Sequence, residues 1–148
     1  MKVKLLFVFI CFITISICGC SKEDMVSGKK YEMAKDIQVS FSDNQILVIN
    51  SEGEFIKYFK EVNAKLPKEK QLASVNFKKC TLIYVQGMTP KGISEIKSFL
   101  TTDATPYVLS VNIKQNYSDV ITRWNVAYLI DKQEHPNVKL QLNIEKDD

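Results

Sequence analysis

The sequence predicts an α+β domain, with roughly six strands in a mostly antiparallel sheet and one helix at about 51–66 packed on them. Three observations carry this. One stretch has helical period with signals at both ends. Three C-terminal stretches alternate with period two, and one short run is apolar throughout.

The helix is written in "SEGEFIKYFKEVNAKLP". Ser51 and Glu54 form an S-x-x-E capping box, in which each side chain bonds an otherwise orphan backbone N–H. Glu52 and Glu54 suit the positive end of the helix dipole. Phe55, Tyr58, Phe59, Val62 and Leu66 share one face, and Pro67 ends the pattern. That aromatic stripe reads as core rather than as a ligand box.

The strands follow from alternation. Residues 81–85 are apolar without interruption, which marks a strand buried on both faces. Tyr107, Leu109, Val111 and Ile113 alternate with Val108, Ser110, Asn112 and Lys114. Trp124, Val126, Tyr128 and Ile130 alternate with Arg123, Asn125, Ala127 and Leu129, and Val138, Leu140, Leu142 and Ile144 with Lys139, Gln141 and Asn143. Each set needs one covered face, as in a half-exposed antiparallel sheet. Residues 131–137 are short enough to join the last two sets as a hairpin. A second hairpin is expected from 37–41 and 45–49 around the turn cluster Ser42-Asp43-Asn44. Gly87 to Gly92 reads as a turn, with Pro90 and Gly92 at type I positions. Residues 93–100 have some helical spacing, but their short length and flanking turns favour a strand.

Residues 1–19 read differently. Lys2 and Lys4 form a basic head, and 5–18 are apolar except for Thr14 and Ser16. A bilayer-spanning helix needs about 20 apolar residues, whereas runs of about 10–14 suit a signal-peptide core. Ile17-Cys18-Gly19-Cys20 resembles the lipobox of bacterial lipoproteins. The resemblance implies cleavage between Gly19 and Cys20 and a lipidated Cys20 thiol. Two or more acyl chains hold a protein stably on a membrane without a spanning helix. Ser21-Lys22-Glu23-Asp24 resembles the export tag of surface lipoproteins, one Lys or Gln followed by two acidic residues. The expected organisation is a signal peptide at 1–19, a lipidated flexible tether at 20–35 and one domain at 36–148. The expected location is the outer membrane, on the cell surface.

Composition narrows the function. The 148 residues carry a formal net charge of +3, and two lysines leave with the signal. Nucleic-acid binding wants a clustered basic patch, and none is present. Lys65, Lys68 and Lys70 alternate with Pro67 and Glu69 as a solvated loop. Of four cysteines, Cys11 and Cys18 precede the cleavage point and Cys20 carries lipid, which leaves Cys80 in the folded body. No internal disulfide is then available. Cys80 is expected to be a small buried hydrophobe.

His135 is the single histidine and lies in the turn-like Glu134-His135-Pro136. No G-x-S-x-G, phosphate loop, zinc spacing or calcium loop accompanies it. The expectation is a non-enzyme without metal or cofactor. Tyr117, Ile121 and Met88 fall between or beside strands, where loops on a rigid scaffold carry binding function. The simpler expectation is that they fold back and cap the core.

The series "VINSEGEFIKYF", "FKKCTLIYVQG", "YVLSVNIK", "RWNVAYLIDK" and "NVKLQLNI" resembles a group of small Gram-negative surface-type lipoproteins. It is more distantly similar to the C-terminal domain of PrcB-type protease-complex subunits. The likeness covers about residues 48–144 and consists of apolar spacing, so it carries no catalytic residue across. It implies an accessory or inhibitory subunit of an extracytoplasmic protease. The anchor and the absence of catalytic groups give the first expectation instead, a non-enzymatic binding or accessory module engaging an unknown protein or glycan.

Replacing Cys20 by Ala is expected to abolish fatty-acid labelling and release the protein from membranes. Undiminished labelling of that variant contradicts the lipobox assignment.

Overall fold

The computed structural model describes residues 28–146. In chain order its elements are β1 (Lys29–Lys30), β2 (Leu47–Ile49), α1 (Glu52–Lys65), β3 (Cys80–Thr89), β4 (Ile93–Thr101), β5 (Tyr107–Gln115), β6 (Thr122–Asp131) and β7 (Val138–Lys146). The class is α+β. The strands divide between a four-stranded sheet ordered β1-β6-β3-β2 and a three-stranded sheet ordered β4-β5-β7.

The four-stranded sheet is the middle of three layers. Side chains alternate across a strand, so β3 sends Leu82 and Tyr84 to one face and Ile83 and Val85 to the other. The first face packs under Phe59 of α1 together with Leu47, Ile49, Tyr31, Ile37 and Val39. The second face joins Trp124, Val126, Tyr128 and Ile130 of β6 to Leu109, Val111 and Ile113 of β5. Leu82, Ile83, Tyr84 and Val85 are fully buried, as the unbroken apolar run requires.

The helix forms as its sequence dictates. The Glu54 amide donates to Ser51 Oγ at 3.2 Å, while Glu54 Oε2 accepts from the Asn50 amide at 2.7 Å. The reciprocal half of the capping box is therefore made one residue earlier than expected. Phe55 stacks on Phe59 at 5.0 Å, and Phe59 meets the Tyr84 ring edge-on at 5.3 Å. Burying a Phe side chain is worth about 1.5–3 kcal/mol.

Several sequence expectations are corrected. Residues 37–41 form no strand and no hairpin with 45–49; β2 pairs with β3 instead. Segment 31–44 is held by buried side-chain amides in place of a ladder. Gln86 Oε1 accepts from the Val39 amide at 2.9 Å, and its Nε2 donates to the carbonyls of Val39 and Phe41 at 3.1 and 2.8 Å. Asn125 Nδ2 donates to the carbonyls of Ala34 and Ile37. The fold consequently begins before residue 36. Lys29 and Lys30 pair with Leu129 and Tyr128, and Tyr31 is buried, so the part of the expected tether at 29–35 belongs to the domain.

No hairpin joins β6 and β7. β7 crosses to the other sheet and runs parallel to β5, because its single apolar face has to reach the core between the sheets. The β6 strand is buried on both faces rather than half exposed, its second face lying under the 31–44 segment. Residues 93–100 do form a strand, as favoured.

Gly87 is not in a turn. It lies inside β3, opposite Trp124, where a Cβ would stand 2.6 Å from both Trp124 Cζ2 and Asn44 Oδ1. The indole occupies the space a side chain would need. Trp124 is fully buried, as its position at the head of the β6 apolar face predicted. Its Nε1–H has no hydrogen-bond partner among the described residues.

Gly87→Ala is expected to lower stability by about 1–3 kcal/mol through overpacking, and Trp124→Ala by about 3–5 kcal/mol through a cavity. Urea unfolding measures both. An unchanged midpoint for either variant contradicts the account of this contact.

Candidate interaction site

One end of the layered fold is built from the β3–β4 turn at 90–92 and the β5–β6 connection at 116–121. The two loops are tied together by backbone. The Gly92 amide donates to the Ser118 carbonyl at 2.9 Å, and the Asn116 amide donates to the Gly92 carbonyl at 2.9 Å. Asn116 Oδ1 turns inward and accepts from the Ser118 amide at 2.9 Å. A Cβ on residue 92 would lie 2.3 Å from that Oδ1, so glycine is required for the close approach. Thr89 Oγ1 donates to the Lys91 carbonyl, and Lys91 Nζ pairs with the Asp119 carboxylate across the loops. The Lys91 hydrogen bond and charge hold the Asp119 carboxyl below the usual carboxylate range. Both groups are exposed, so the pair adds little stability, and the backbone bonds are what tie the two loops together.

This frame presents apolar side chains to solvent. Tyr117 is 78% exposed, Ile121 70%, Val120 61% and Met88 47%. Four of the seven exposed large hydrophobics among the described residues sit at this end, so the exposure is local rather than scattered. The expectation that Tyr117, Ile121 and Met88 cap the core is corrected. Trp124, Ile113 and Val85 are buried while these side chains stand in solvent.

The opposite end holds the start of the described chain. Lys29 pairs with Leu129 near the far end of β6, and Gly28 lies beside the Leu100 carbonyl and Thr102. The ten residues of β6 separate the two ends by about 30 Å.

The other sequence candidates do not converge on this end. Gly19, Cys20, Ser21, Lys22, Glu23 and Asp24 lie outside the described residues. Cys80 is buried in β3, and burial first, then the Asp131 charge, raises its thiol pKa, the reverse of what a nucleophile needs. His135 is exposed in the β6–β7 connection. Among the described residues no three His, Cys, Asp or Glu side chains are placed to hold a metal ion. No described helix is long and apolar enough to cross a membrane. A groove of about 390 Å³ beside α1 is lined by Phe55, Ile56, Phe59, Lys60, Asn63 and Gln71. Its lining is mostly apolar.

Val120 went unnoticed in the sequence because it sits in a polar run beside Asp119. Its neighbour Ile121 carried the same signal, an apolar residue between strands. No protein-family model matches this chain, and neither a curated protein nor a solved structure shows significant similarity to it.

Gly92→Ala is expected to displace Asn116 and speed amide exchange at Asn116 and Ser118 at least about ten-fold, while the slowest core amides stay protected. Unchanged exchange at both amides contradicts the clamp described here.

Proposed function

We propose that this protein is a lipid-anchored cell-envelope module without enzymatic activity that binds a protein partner through the Met88, Tyr117, Val120 and Ile121 end. The observation that carries the reading is the concentration of exposed apolar side chains on the β5–β6 connection and the adjoining end of β3, where the loops are tied to a rigid sheet. Tyr and Met are enriched in interface cores, and such side chains gain by leaving water. Aliphatic Val120 and Ile121 favour an apolar protein surface over a glycan.

The location rests on sequence. The lipobox of Ile17 to Cys20 supports an anchor, and Ser21-Lys22-Glu23-Asp24 supports export to the outer surface of the outer membrane. The spacing along β6 fits that reading, because an anchor attached upstream of Gly28 leaves the apolar end about a strand length away from the attachment. The accessory or inhibitory protease subunit is the alternative, supported by the distant PrcB-type resemblance.

The test compares the full-length chain with a Tyr117→Ser, Ile121→Ser variant in pull-downs from the native envelope. The variant is expected to melt within about 2 °C of the parent, since both side chains are exposed. It is expected to lose a partner that the parent retains. A protease among the lost proteins assigns the accessory-subunit alternative. Identical captured sets overturn the assignment of this end as the binding site.

A further inference from the structure

The three-stranded sheet has two edges, and the sequence treats them differently. On β4 the register slips between Ile93 and Glu95. The same strand carries Glu95 and Lys97, paired at 3.0 Å, and its Ser98 Oγ lies 3.0 Å from the Tyr128 hydroxyl of the other sheet. A bulge, charges and partial cover are the devices that keep an edge from pairing with another chain.

β7 has no bulge, and its charges lie only toward its two ends, at Lys139, Glu145 and Lys146. Its register with β5 is unbroken from Tyr107↔Val138 to Gln115↔Lys146. The strand "VKLQLNIEK" contains no Pro and no Gly, and it is uncharged from Leu140 to Ile144. Among the described residues no backbone hydrogen bond reaches its outer side. Ile144 is 43% exposed although it belongs to the inward-facing set. A long, regular edge of this kind is a template for strand addition.

The strand is also complementary to itself. Laid antiparallel on a second copy about Leu142, it sets Lys139 opposite Glu145 and Gln141 opposite Asn143 on the outer face. On the inner face it sets Leu140 opposite Ile144 and Leu142 opposite itself. Opposite charges, amide pairs and aliphatic pairs directly across strands each favour pairing. The described chain starts beside Leu100 and Thr102, at the β4 edge, so the β7 edge lies across the sheet from that start.

We propose that β7 pairs antiparallel with β7 of a second copy of this chain, centred on Leu142, and joins two three-stranded sheets into one of six strands. This stands without the anchor assignment and without the partner proposed for the Tyr117 end. Nine-residue edges bury less surface than a standard interface of about 1,200–2,000 Å², so the dimer is concentration-dependent and reversible.

Sedimentation of the full-length chain in mild detergent, from about 5 to 500 μM, tests it, because that range brackets micromolar dissociation constants. A monomer–dimer equilibrium is expected. Lys139→Glu and Glu145→Lys, both at exposed positions, are each expected to weaken the dimer about ten-fold or more, since two-fold symmetry repeats every pair. The double swap is expected to restore it. A monomer throughout, a dimer indifferent to the single swaps, or a double swap no better than the singles overturns the proposal. Register is read separately by oxidative cross-linking. Lys139→Cys with Glu145→Cys in one chain is expected to give a disulfide-linked dimer, and Lys139→Cys with Asn143→Cys is not, because those positions lie beyond disulfide reach. The reverse pattern overturns the pairing.

Discussion

The pairing of β3 with β6 is the constraint on which the rest of the structure depends. It runs from Cys80↔Asp131 to Thr89↔Thr122 without a slip, at the centre of the middle layer. A one-residue shift would exchange the two faces of a strand, and here both faces are committed. Ile83, Val85, Val126 and Tyr128 build one core, while Leu82, Tyr84 and Ala127 build the other. The helix and the three-stranded sheet share only this spine. The Gly87–Trp124 pair fixes the register physically, since only one position on β3 leaves room for the indole.

The spine also explains the buried polar groups. Segment 31–44 bonds the sheet through backbone at its two ends, Tyr31 to Ala127 and Asn44 to Gln86, but forms no strand between them, so the backbone N–H and C=O groups in between need other partners. Gln86 and Asn125, on adjacent strands and facing the same side, supply them. The Tyr84 hydroxyl donates into the same network toward the Ile37 carbonyl at 3.1 Å, and burial raises its pKa well above the ordinary phenol range. Tyr31 donates to the Ala73 carbonyl from the other end of the segment, and burial pushes its pKa up to about 12. Both phenols therefore stabilise the fold fully below about pH 10, and their contribution falls as pH rises from there toward the folded-state values.

What was legible in the sequence were the features with a strong local cause. The helix announced itself through Ser51, Glu54 and Pro67, and β3 through its unbroken apolar run. The inward faces of β5, β6 and β7 followed from period two alone. What was not legible was pairing. Alternation states that a strand has one apolar face, but not which sheet covers it, so β6 and β7 read as a hairpin although their connection crosses between layers. Gly87 read as a turn residue because the need for space beside Trp124 is a tertiary fact. Gln86 and Asn125 looked like ordinary strand polar residues, although they bind a segment 43 to 91 positions away. At the candidate site the residue types were visible in Met88, Tyr117 and Ile121. Their exposure was not, because it is set by how the loops pack in the folded chain, which local sequence does not state.

Hydrogen exchange along the full-length chain tests the central claim most directly, that one shared spine holds two cores and presents a separate apolar end. The interior amides of β3 and β6 are expected to exchange slowest and together, in a single global opening, while 119–121 exchange fast. Two well-separated slow phases, one for β3 and one for β6, or protection of 119–121 equal to that of the core, would contradict it.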